Sequence, residues 1–241
     1  MDSQAGNLAQ ILVELLEKKP PASRLLVGLF GIPASGKSTF AVHLTQYTNE
    51  LLESRPNATD RAVLVGLDGW HLTRAQLDRF PDPKLAHDRR GIHWTFDGPG
   101  YLEFIKKLRE EVTSTSSIIF APSFDHALKD PSPDAVSIHP HHRIIIIEGL
   151  YAALSVDSWA EAGQLLDERW YLEVSIEEAQ RRLVKRHVIS GVAKDHEEAV
   201  WRAEQNDMPN GRFIIANMVE PIRIIQSLDD PEFASPQSPA E

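Results

Sequence analysis

The sequence Leu25-Leu-Val-Gly-Leu-Phe-Gly31-Ile-Pro-Ala-Ser-Gly36-Lys37-Ser38-Thr39 contains the pattern G-x-x-x-x-G-K-[ST] of a phosphate-binding loop. The apolar run before the loop predicts a buried strand, and the residues from Thr39 to about position 52 predict a helix. Backbone N–H groups of such a loop, together with the helix N-terminus, bind phosphate. We therefore expect nine residues to contact a nucleoside triphosphate: Gly31, Ile32, Pro33, Ala34, Ser35, Gly36, Lys37, Ser38 and Thr39. Of these, Lys37 is expected to reach the β- and γ-phosphates and Ser38 to bind Mg²⁺.

Composition limits the classes of protein that the chain can represent. It has 241 residues, of which 42% are hydrophobic and 25% charged, as is usual for a globular protein. The net charge of −10 argues against a broad nucleic-acid-binding surface. The absence of cysteine excludes disulfides and thiolate metal sites. No apolar run approaches the roughly 20 residues of a membrane span, and the N-terminus does not resemble a secretory signal. We therefore expect no nucleic-acid or membrane partner and a cytoplasmic location.

Strands and helices alternate along the chain. Apolar runs predict further strands at 62–67, 117–121, 143–149 and 169–174, and the β-branched run at 143–149 is typical of the middle of a parallel sheet. Helical periodicity covers 7–19, 100–113, 176–190 and 196–206, whereas 73–97 and 126–142 are expected to be irregular, and 219–226 is a candidate last strand. This alternation predicts an α/β fold with a doubly wound parallel sheet flanked by helices, and ligands at the carboxyl ends of its strands.

The same pattern divides the chain into three parts. An N-terminal helix over 1–23 is expected to pack on a core domain over 24–228, and the Pro/Ser/Asp-rich tail over 229–241 is expected to be flexible. We expect a monomer or a homodimer.

Three acids follow predicted strands: Asp68, Asp125 and Glu148. Phosphoryl transfer requires a base for the acceptor hydroxyl and a group that orients Mg²⁺. We assign Asp68 as the candidate base and Glu148 as the acid that orients the metal or its water. Any one of these acids could instead cap the following helix. His71 and His126 each come shortly after one of these acids, which makes them candidate site residues.

A basic segment runs from Arg181 to His187. Arg182 and Arg186 share a helix face because they are four residues apart. The segment is either a solvated helix face or part of a closing lid that brings arginines to the transferring phosphate. Beside a triphosphate site we favour a mobile lid over about 186–200. The histidines between positions 139 and 142 fit no zinc pattern, and a structural or incidental role is expected for them.

Six motifs together carry a family resemblance. In chain order they are Gly31-Ile-Pro-Ala-Ser-Gly-Lys-Ser38, Asp68-Gly-Trp-His71, Thr95-Phe-Asp97, Pro122-Ser-Phe-Asp125, Ile147-Glu-Gly-Leu-Tyr151 and Arg182-Leu-Val-Lys-Arg186.

With these motifs the chain resembles the phosphoribulokinase/uridine kinase family of P-loop kinases over residues 24–226. The resemblance implies a P-loop nucleoside-triphosphate-hydrolase fold of the nucleotide-kinase type, with a mobile lid and ATP-dependent phosphorylation of a hydroxyl. ATP and Mg²⁺ are the implied cofactors, and a small-molecule hydroxyl acceptor is the implied partner. The expected roles are catalysis by Asp68, Lys37, Glu148 and Arg186; nucleotide binding by the loop and Arg182; metal binding by Ser38 and Glu148; and acceptor binding by Asp68, His71, Asp97, Phe124, Asp125 and Tyr151.

The acceptor itself stays open at this point. Uridine kinases usually carry an Asp-Ser-Phe-Tyr-like segment where this chain has Asp68-Gly-Trp-His71, and Phe124 stands where they have a pocket tyrosine. In two segments, Glu148-Gly-Leu-Tyr-Ala-Ala-Leu and Asn206-Asp-Met-Pro-Asn210-Gly-Arg212, the chain looks more like the nucleoside/sugar-kinase-like branch, which includes fructose-kinase-like and fungal members. A sugar, a polyol acid, a pantothenate-like compound or a nucleoside other than uridine are all compatible with it.

Three other functions were weighed against the kinase. A GTPase switch would have an Asn-Lys-x-Asp segment, which the chain lacks, and an ATPase motor would have an Asp-Glu pair where Glu148-Gly149 stands. A kinase-derived binding module would have lost some of Lys37, Ser38, Asp68 and Glu148, all of which are present. The remaining alternative is a regulatory P-loop protein that binds or hydrolyses nucleotide without a small-molecule acceptor.

Overall fold

The computed structural model describes residues 2–56, 59–113, 115–125 and 127–228. Its strands are β1 (Leu25–Phe30), β2 (Arg61–Gly66), β3 (Ile119–Asp125), β4 (Asp130–Ile138), β5 (His142–Glu148), β6 (Glu168–Glu173) and β7 (Arg223–Gln226). Its helices are α1 (Asp2–Glu17), α2 (Lys37–Glu53), α3 (Arg74–Leu77), α4 (Pro83–Asp88), α5 (Gly98–Leu108), α6 (Asp157–Gln164), α7 (Ile176–Ile189), α8 (His196–Arg202) and α9 (Met208–Ala216). Two 3₁₀ turns (Leu67–Trp70 and His93–Thr95) and a π-helical turn (Ala203–Asp207) complete the described elements.

Five strands form one parallel sheet in the order β2-β5-β1-β6-β7. Every residue of β1 is buried, and so are the four isoleucines of β5, because helices cover both faces. Helices α1 and α2 pack on one face around Leu12, Phe40 and Trp170. Helices α5 and α6 pack on the other around Tyr101 and Trp159. The predicted α/β fold, a parallel sheet flanked by helices, is confirmed.

The strand predicted at 117–121 does not join this sheet, which corrects the expectation of a third parallel strand. Instead β3 pairs antiparallel with β4 in a separate two-stranded hairpin. Periodicity indicates a strand but not the strand with which it pairs. The partner β4 was not predicted because its first half reads Asp-Pro-Ser-Pro-Asp, which does not resemble a strand. Prolines in a strand are typical of an edge, where an N–H is not needed. The expected loop over 126–142 is therefore largely a strand.

Other differences concern short helices. The region 73–97 contains α3, which a capping box between Thr73 and Gln76 starts, and α4, which Asp82 caps. Helices α6 and α9 were not predicted, and the helix expected over 196–206 turns π-helical after Arg202. The strand proposed within 219–226 is present as β7. The tail over 229–241 and His126 lie outside the described residues. Across the described ranges, no helix is both long enough and apolar enough to cross a membrane.

Candidate active site

The loop between β1 and α2 has the backbone of an anion-binding site. Gly36 precedes α2 with φ +88°, a conformation that glycine adopts without strain, and Ala34 is also left-handed at φ +60°. No side chain caps the N-terminus of α2. Its first N–H groups are therefore available to an anion, and the macrodipole favours negative charge there. A hydrogen bond from the Ser227 hydroxyl to the Ser35 carbonyl oxygen, at 2.8 Å, holds the loop from outside.

Two acids approach this loop from neighbouring strand ends. Glu148 is the last residue of β5 and lies in register with Leu29 of β1 and Gly66 of β2. Asp68 lies in the 3₁₀ turn that follows β2. A Cβ on Gly149 would lie 2.3 Å from the Cβ of Leu67, so only glycine allows these two strand ends to come so close. The convergence that the sequence indicated for Asp68 and Glu148 is present in the structure.

The charges at this edge are strongly coupled. The Lys37 Nζ lies 4.0 Å from Glu148 Oε1, and both side chains are mostly buried. Burial lowers the pKa of Lys37, the charges of Glu148 and Asp68 oppose that shift, and Arg186 adds to it. Burial raises the pKa of Glu148; Lys37 opposes this, Asp68 reinforces it, and a hydrogen bond with Ser38 opposes it. The buried Glu148 carboxylate, the Ser38 hydroxyl and the more exposed Asp68 carboxylate form a set of hard oxygen donors that suits a divalent cation.

A cavity of about 470 Å³ opens above these groups. Seven residues expected at the site line it: Pro33, Ala34, Lys37, Ser38, Asp68, Glu148 and Arg186. The Asp68 side chain is 55% exposed, so a ligand in the cavity can reach its carboxylate. The volume is in the range of small-molecule sites.

The rest of the cavity lining contains no residue that the sequence assigned to the site. It comprises the loop Arg89–Ile92 after α4, the end of the π-helical turn, and α9, and its residues include Arg89, Arg90, Asn206, Asp207, Asn210 and Phe213. Long-range hydrogen bonds assemble it: Arg89 Nη1 donates to the Gln205 carbonyl oxygen at 2.7 Å, and the Tyr151 hydroxyl lies 2.7 Å from the Gly91 oxygen. A π-turn at such a place fits the tendency of π-bulges to occur at functional sites.

Several residues expected to bind the acceptor lie behind this cavity instead of lining it. His71 donates its Nδ1 proton to the Asp68 carbonyl oxygen at 2.8 Å, and its ring packs on Phe96 and Phe124. Tyr151 is fully buried, and its hydroxyl also lies 2.7 Å from Asn210 Oδ1. These residues support the cavity, and their contact with an acceptor stays a prediction.

Asp97 and Asp125 carry local backbone contacts. Asp97 caps α5 by accepting a hydrogen bond from the Gly100 N–H at 2.9 Å. Asp125 ends β3 and accepts from the N–H groups of Ala127 and Leu128. It therefore lies in the hairpin and not at the carboxyl edge of the parallel sheet, which corrects the sequence-based placement. Asp side chains favour such turns because they bond to backbone N–H groups two or three residues on.

Two of the arginines of α7, Arg182 and Arg186, lie beside the phosphate loop or its cavity. Arg182 donates to Ser227 Oγ at 3.0 Å and to the Ala34 carbonyl oxygen at 3.4 Å. Arg186 lines the cavity one helical turn later. At the turn between α7 and α8, Gly191 has φ +69°.

The histidines at 139, 141 and 142 form a cluster at the start of β5, the end of the sheet opposite the acids. Their ring centroids are 4.4–5.5 Å apart. His142 Nδ1 accepts a hydrogen bond from the His139 N–H at 3.0 Å. Within the described ranges no group of three His, Cys, Asp or Glu residues has the geometry of a metal site.

No protein-family model matches the chain. A Schizosaccharomyces pombe protein provisionally named uridine kinase C227.14 is 38% identical over 216 residues, which cover 90% of this chain and 87% of that protein. The ATP-dependent kinase-like protein notR' of Aspergillus versicolor is 49% identical over 151 residues, or 63% of this chain and 88% of that protein. A crystal structure from Silicibacter sp. TM1040, provisionally assigned as a fructose transport system kinase, superposes with a TM-score of 0.77 at 30% identity and covers 91% of this chain and 97% of its own.

The extent of the first match shows the family, and the structural match agrees with the parallel sheet and the loop described above. From the family resemblance, we expect these kinases to share three features with this chain: the phosphate loop, the two strand-end acids and the arginine-bearing helix α7. The chain belongs to the uridine kinase/phosphoribulokinase family of P-loop kinases.

Proposed function

We propose that this protein transfers the γ-phosphoryl group of ATP to a hydroxyl of a nucleoside, a sugar or a related small metabolite. One observation carries the proposal: Lys37, Ser38, Asp68 and Glu148 converge on one cavity whose lining extends beyond the phosphate loop to residues 89–92, 206–207 and α9. A site that only held a nucleotide would not require a second wall with polar side chains. The relatives named as uridine, ATP-dependent and fructose kinases are consistent with an alcohol acceptor and with ATP as donor.

Asp68 is the proposed general base. Its exposed carboxylate can accept the proton of the acceptor hydroxyl while the acceptor oxygen bonds to the γ-phosphorus. The bond between the γ-phosphorus and its bridging oxygen breaks, and ADP leaves with that oxygen. Lys37 and Arg186 neutralise the charge that builds on the phosphoryl oxygens.

The donor set at the phosphate loop fits Mg²⁺. This ion needs only one or two protein oxygens because phosphate and water supply its other ligands. The Ser38 hydroxyl and the Glu148 carboxylate, which already interact, are the groups that would hold the ion or its water. Held there, Mg²⁺ would supply positive charge that offsets the charge of the transferring phosphate.

The division of the chain belongs to the same proposal: a helix over 1–23, a kinase domain over 24–228 and, within it, a lid over about 186–200. The lid would close over the cavity and bring Arg186 to the transferring phosphate while water is excluded. Its support is the position of Arg186 on the cavity wall and the left-handed Gly191 between α7 and α8. The cytoplasmic location and the oligomeric state stay predictions.

ADP formation from Mg–ATP, measured with and without a panel of small hydroxyl compounds, tests the proposal. A kinase shows little turnover until its acceptor is added, and the phosphate is then recovered on that compound. A regulatory nucleotide-hydrolysing protein releases inorganic phosphate at a rate that no compound in the panel changes. That second result would refute the kinase assignment.

A further inference from the structure

Arg89 carries a charge at the cavity wall that no described carboxylate neutralises. Its Nη1 donates to the Gln205 carbonyl oxygen at 2.7 Å and to Asn206 Oδ1 at 2.8 Å, and both acceptors are neutral. Among the described residues no Asp or Glu lies within ion-pair distance of Arg89. Its neighbour Arg90, in contrast, pairs with Asp130 at 2.7 Å. The two adjacent arginines therefore differ: Arg90 has a counter-ion, and Arg89 has none in the part of the chain that the structure describes.

Apart from Arg90, which Asp130 neutralises, the other cavity cations belong to the nucleotide side. Arg186 is close enough to Lys37 to lower the pKa of that lysine, and Lys37 lies at the start of α2 in the phosphate loop. Arg89 instead bonds to residues 205 and 206 of the π-helical turn, outside the phosphate loop. A triphosphate bound at the loop is thus matched by Lys37 and Arg186, and Arg89 is left for a second negative group.

The loop that carries Arg89 is held firmly. Arg90 Nη2 donates to the Leu72 carbonyl oxygen at 2.8 Å as well as to Asp130, which ties the loop to the hairpin. The Gly91 carbonyl oxygen lies near both the Tyr151 hydroxyl and Asn210 Nδ2, which ties it to α9. A cation fixed in this way is preorganised, because little side-chain or loop entropy is lost when it binds an anion.

Asn206 adds a second donor. A guanidinium has only N–H donors, so the Asn206 atom that faces Arg89 is the amide oxygen. The Asn206 Nδ2 group remains as a donor, and Asn206 also lines the cavity. Arg89 and Asn206 together form a cluster of N–H donors, which is the arrangement that recognises the oxygens of a carboxylate or phosphate.

We propose that Arg89 and Asn206 bind an anionic group on the acceptor. The acceptor is then a small hydroxy compound that also carries a carboxylate or a phosphate, and Asp68 receives the proton of its hydroxyl. This inference rests on the proposed kinase function, and the two can fail separately.

The first experiment measures the anion subsite without turnover. Inorganic phosphate and, in a parallel series, acetate are titrated by calorimetry into protein saturated with Mg²⁺ and a non-hydrolysable ATP analogue. We expect phosphate or acetate to bind the wild type and to bind R89Q about 10- to 100-fold more weakly, the range for loss of a hydrogen-bonded charge pair. R89K should lie between them, and R79Q should match the wild type because Arg79 is exposed and outside the cavity. Equal binding to wild type and R89Q, or no binding to the wild type, would overturn the inference.

The second experiment identifies the acceptor class. Matched pairs, such as glycerate with glycerol and ribose 5-phosphate with ribose, are compared by kcat/KM at saturating ATP. The anionic member should be favoured about tenfold or more, and R89Q should abolish that preference while leaving KM for ATP unchanged. A preference for neutral members, or a rise in KM for ATP with unchanged preference, would overturn the inference and leave the kinase function intact. Anion binding through Arg89 without transfer to any compound would instead refute the kinase function, and with it the role of this subsite in holding an acceptor.

Discussion

The two walls of the cavity are built in opposite ways. The nucleotide wall is the phosphate loop with the start of α2. It comes from a single stretch in which β1, the loop and α2 follow one another, and backbone N–H groups are its main phosphate-binding groups. The rest of the lining, residues 89–92, 206–207 and α9, is called the acceptor wall because the proposed acceptor subsite lies in it. It is assembled from side chains far apart in sequence: Arg89 bonds to a residue 116 positions away, and Asn210 to one 119 positions away. The first wall can bind phosphate in any protein that has the motif. The second depends on this chain's particular contacts, so it is where specificity for the acceptor is expected.

Asp68→Asn should give the largest effect, because Asp68 serves the transfer itself. The substitution keeps the shape and removes the base. We expect kcat to fall about 10²- to 10⁴-fold with Mg–ATP affinity nearly unchanged. Initial rates and calorimetric titration of Mg–ATP measure the two quantities, and Asp88→Asn, at an exposed acid of α4, is the control. If ATP affinity is lost and saturated turnover is spared, Asp68 is a metal-site residue and the base must be sought at Glu148.

Lys37→Ala should disable the nucleotide wall alone. Removing this charge from the β- and γ-phosphates should lower kcat/KM by about 10²- to 10³-fold without unfolding the protein. Circular dichroism checks the fold, and Lys107→Ala, on the surface helix α5, is the matched control. A folded Lys37→Ala protein with wild-type turnover would contradict the assignment of this wall to the nucleotide.

Tyr151→Phe should loosen the acceptor wall alone. It removes the hydroxyl beside Gly91 and Asn210, so KM for the acceptor should rise several-fold while KM for ATP stays unchanged. The free energy of unfolding should fall by about 1–3 kcal/mol, as for other lost buried hydrogen bonds. Tyr101→Phe is the matched control: its hydroxyl is also buried but bonds to the Ala152 oxygen, so stability should fall without a change in KM. A parallel change in both KM values would show that the two walls do not act independently.

The lid should respond when the nucleotide wall is filled. Hydrogen exchange over residues 186–200 is expected to slow on addition of a non-hydrolysable ATP analogue with Mg²⁺, and to slow further with the acceptor. The buried face of α5 should not change and serves as the internal reference. Identical exchange of 186–200 in the free and bound states would argue against closure.

The smallest expected effect lies away from both walls, in the histidine cluster. Burial, reinforced by His141, His139, Arg24 and Arg61, lowers the pKa of His142 to about 4 from 6.5. The unfolded chain therefore binds the proton more readily, so stability should decline as the pH falls from about 6.5 toward 4 and level off below. His142→Asn keeps an acceptor for the His139 N–H and should flatten the dependence of Tm on pH, whereas His141→Asn, which removes only one reinforcing charge, should flatten it less. If Tm depends on pH in His142→Asn as it does in the wild type, groups other than His142 cause the acid sensitivity.

The contrast between the walls also explains which features the sequence could predict. The loop, the strands around it and the two acids can be predicted from local patterns. An apolar run followed directly by an acid marks the carboxyl end of a strand, where ligands bind. Arg89 has no such signal, and Asn206 stands out only as part of a segment that carries the family resemblance, which assigns it no role until the fold brings it beside Arg89. Proline masked β4, and Asp125 looked like a sheet-edge acid because periodicity does not reveal which sheet a strand joins. Gly91 within a charged stretch was the one local hint of an ordered turn at the acceptor wall.

The π-helical turn Ala203–Asp207 links α8 to α9 without a break in the helical path. It therefore sets the rotational phase of α9 relative to the lid. Each residue added to or removed from a helix turns everything beyond it by about 100°. A single-codon deletion here would move Asn210 and Phe213 away from the cavity, although the chemical character of every remaining residue would be unchanged. Between α8 and α9, natural variation must therefore preserve the number of residues more strictly than the identity of any one side chain.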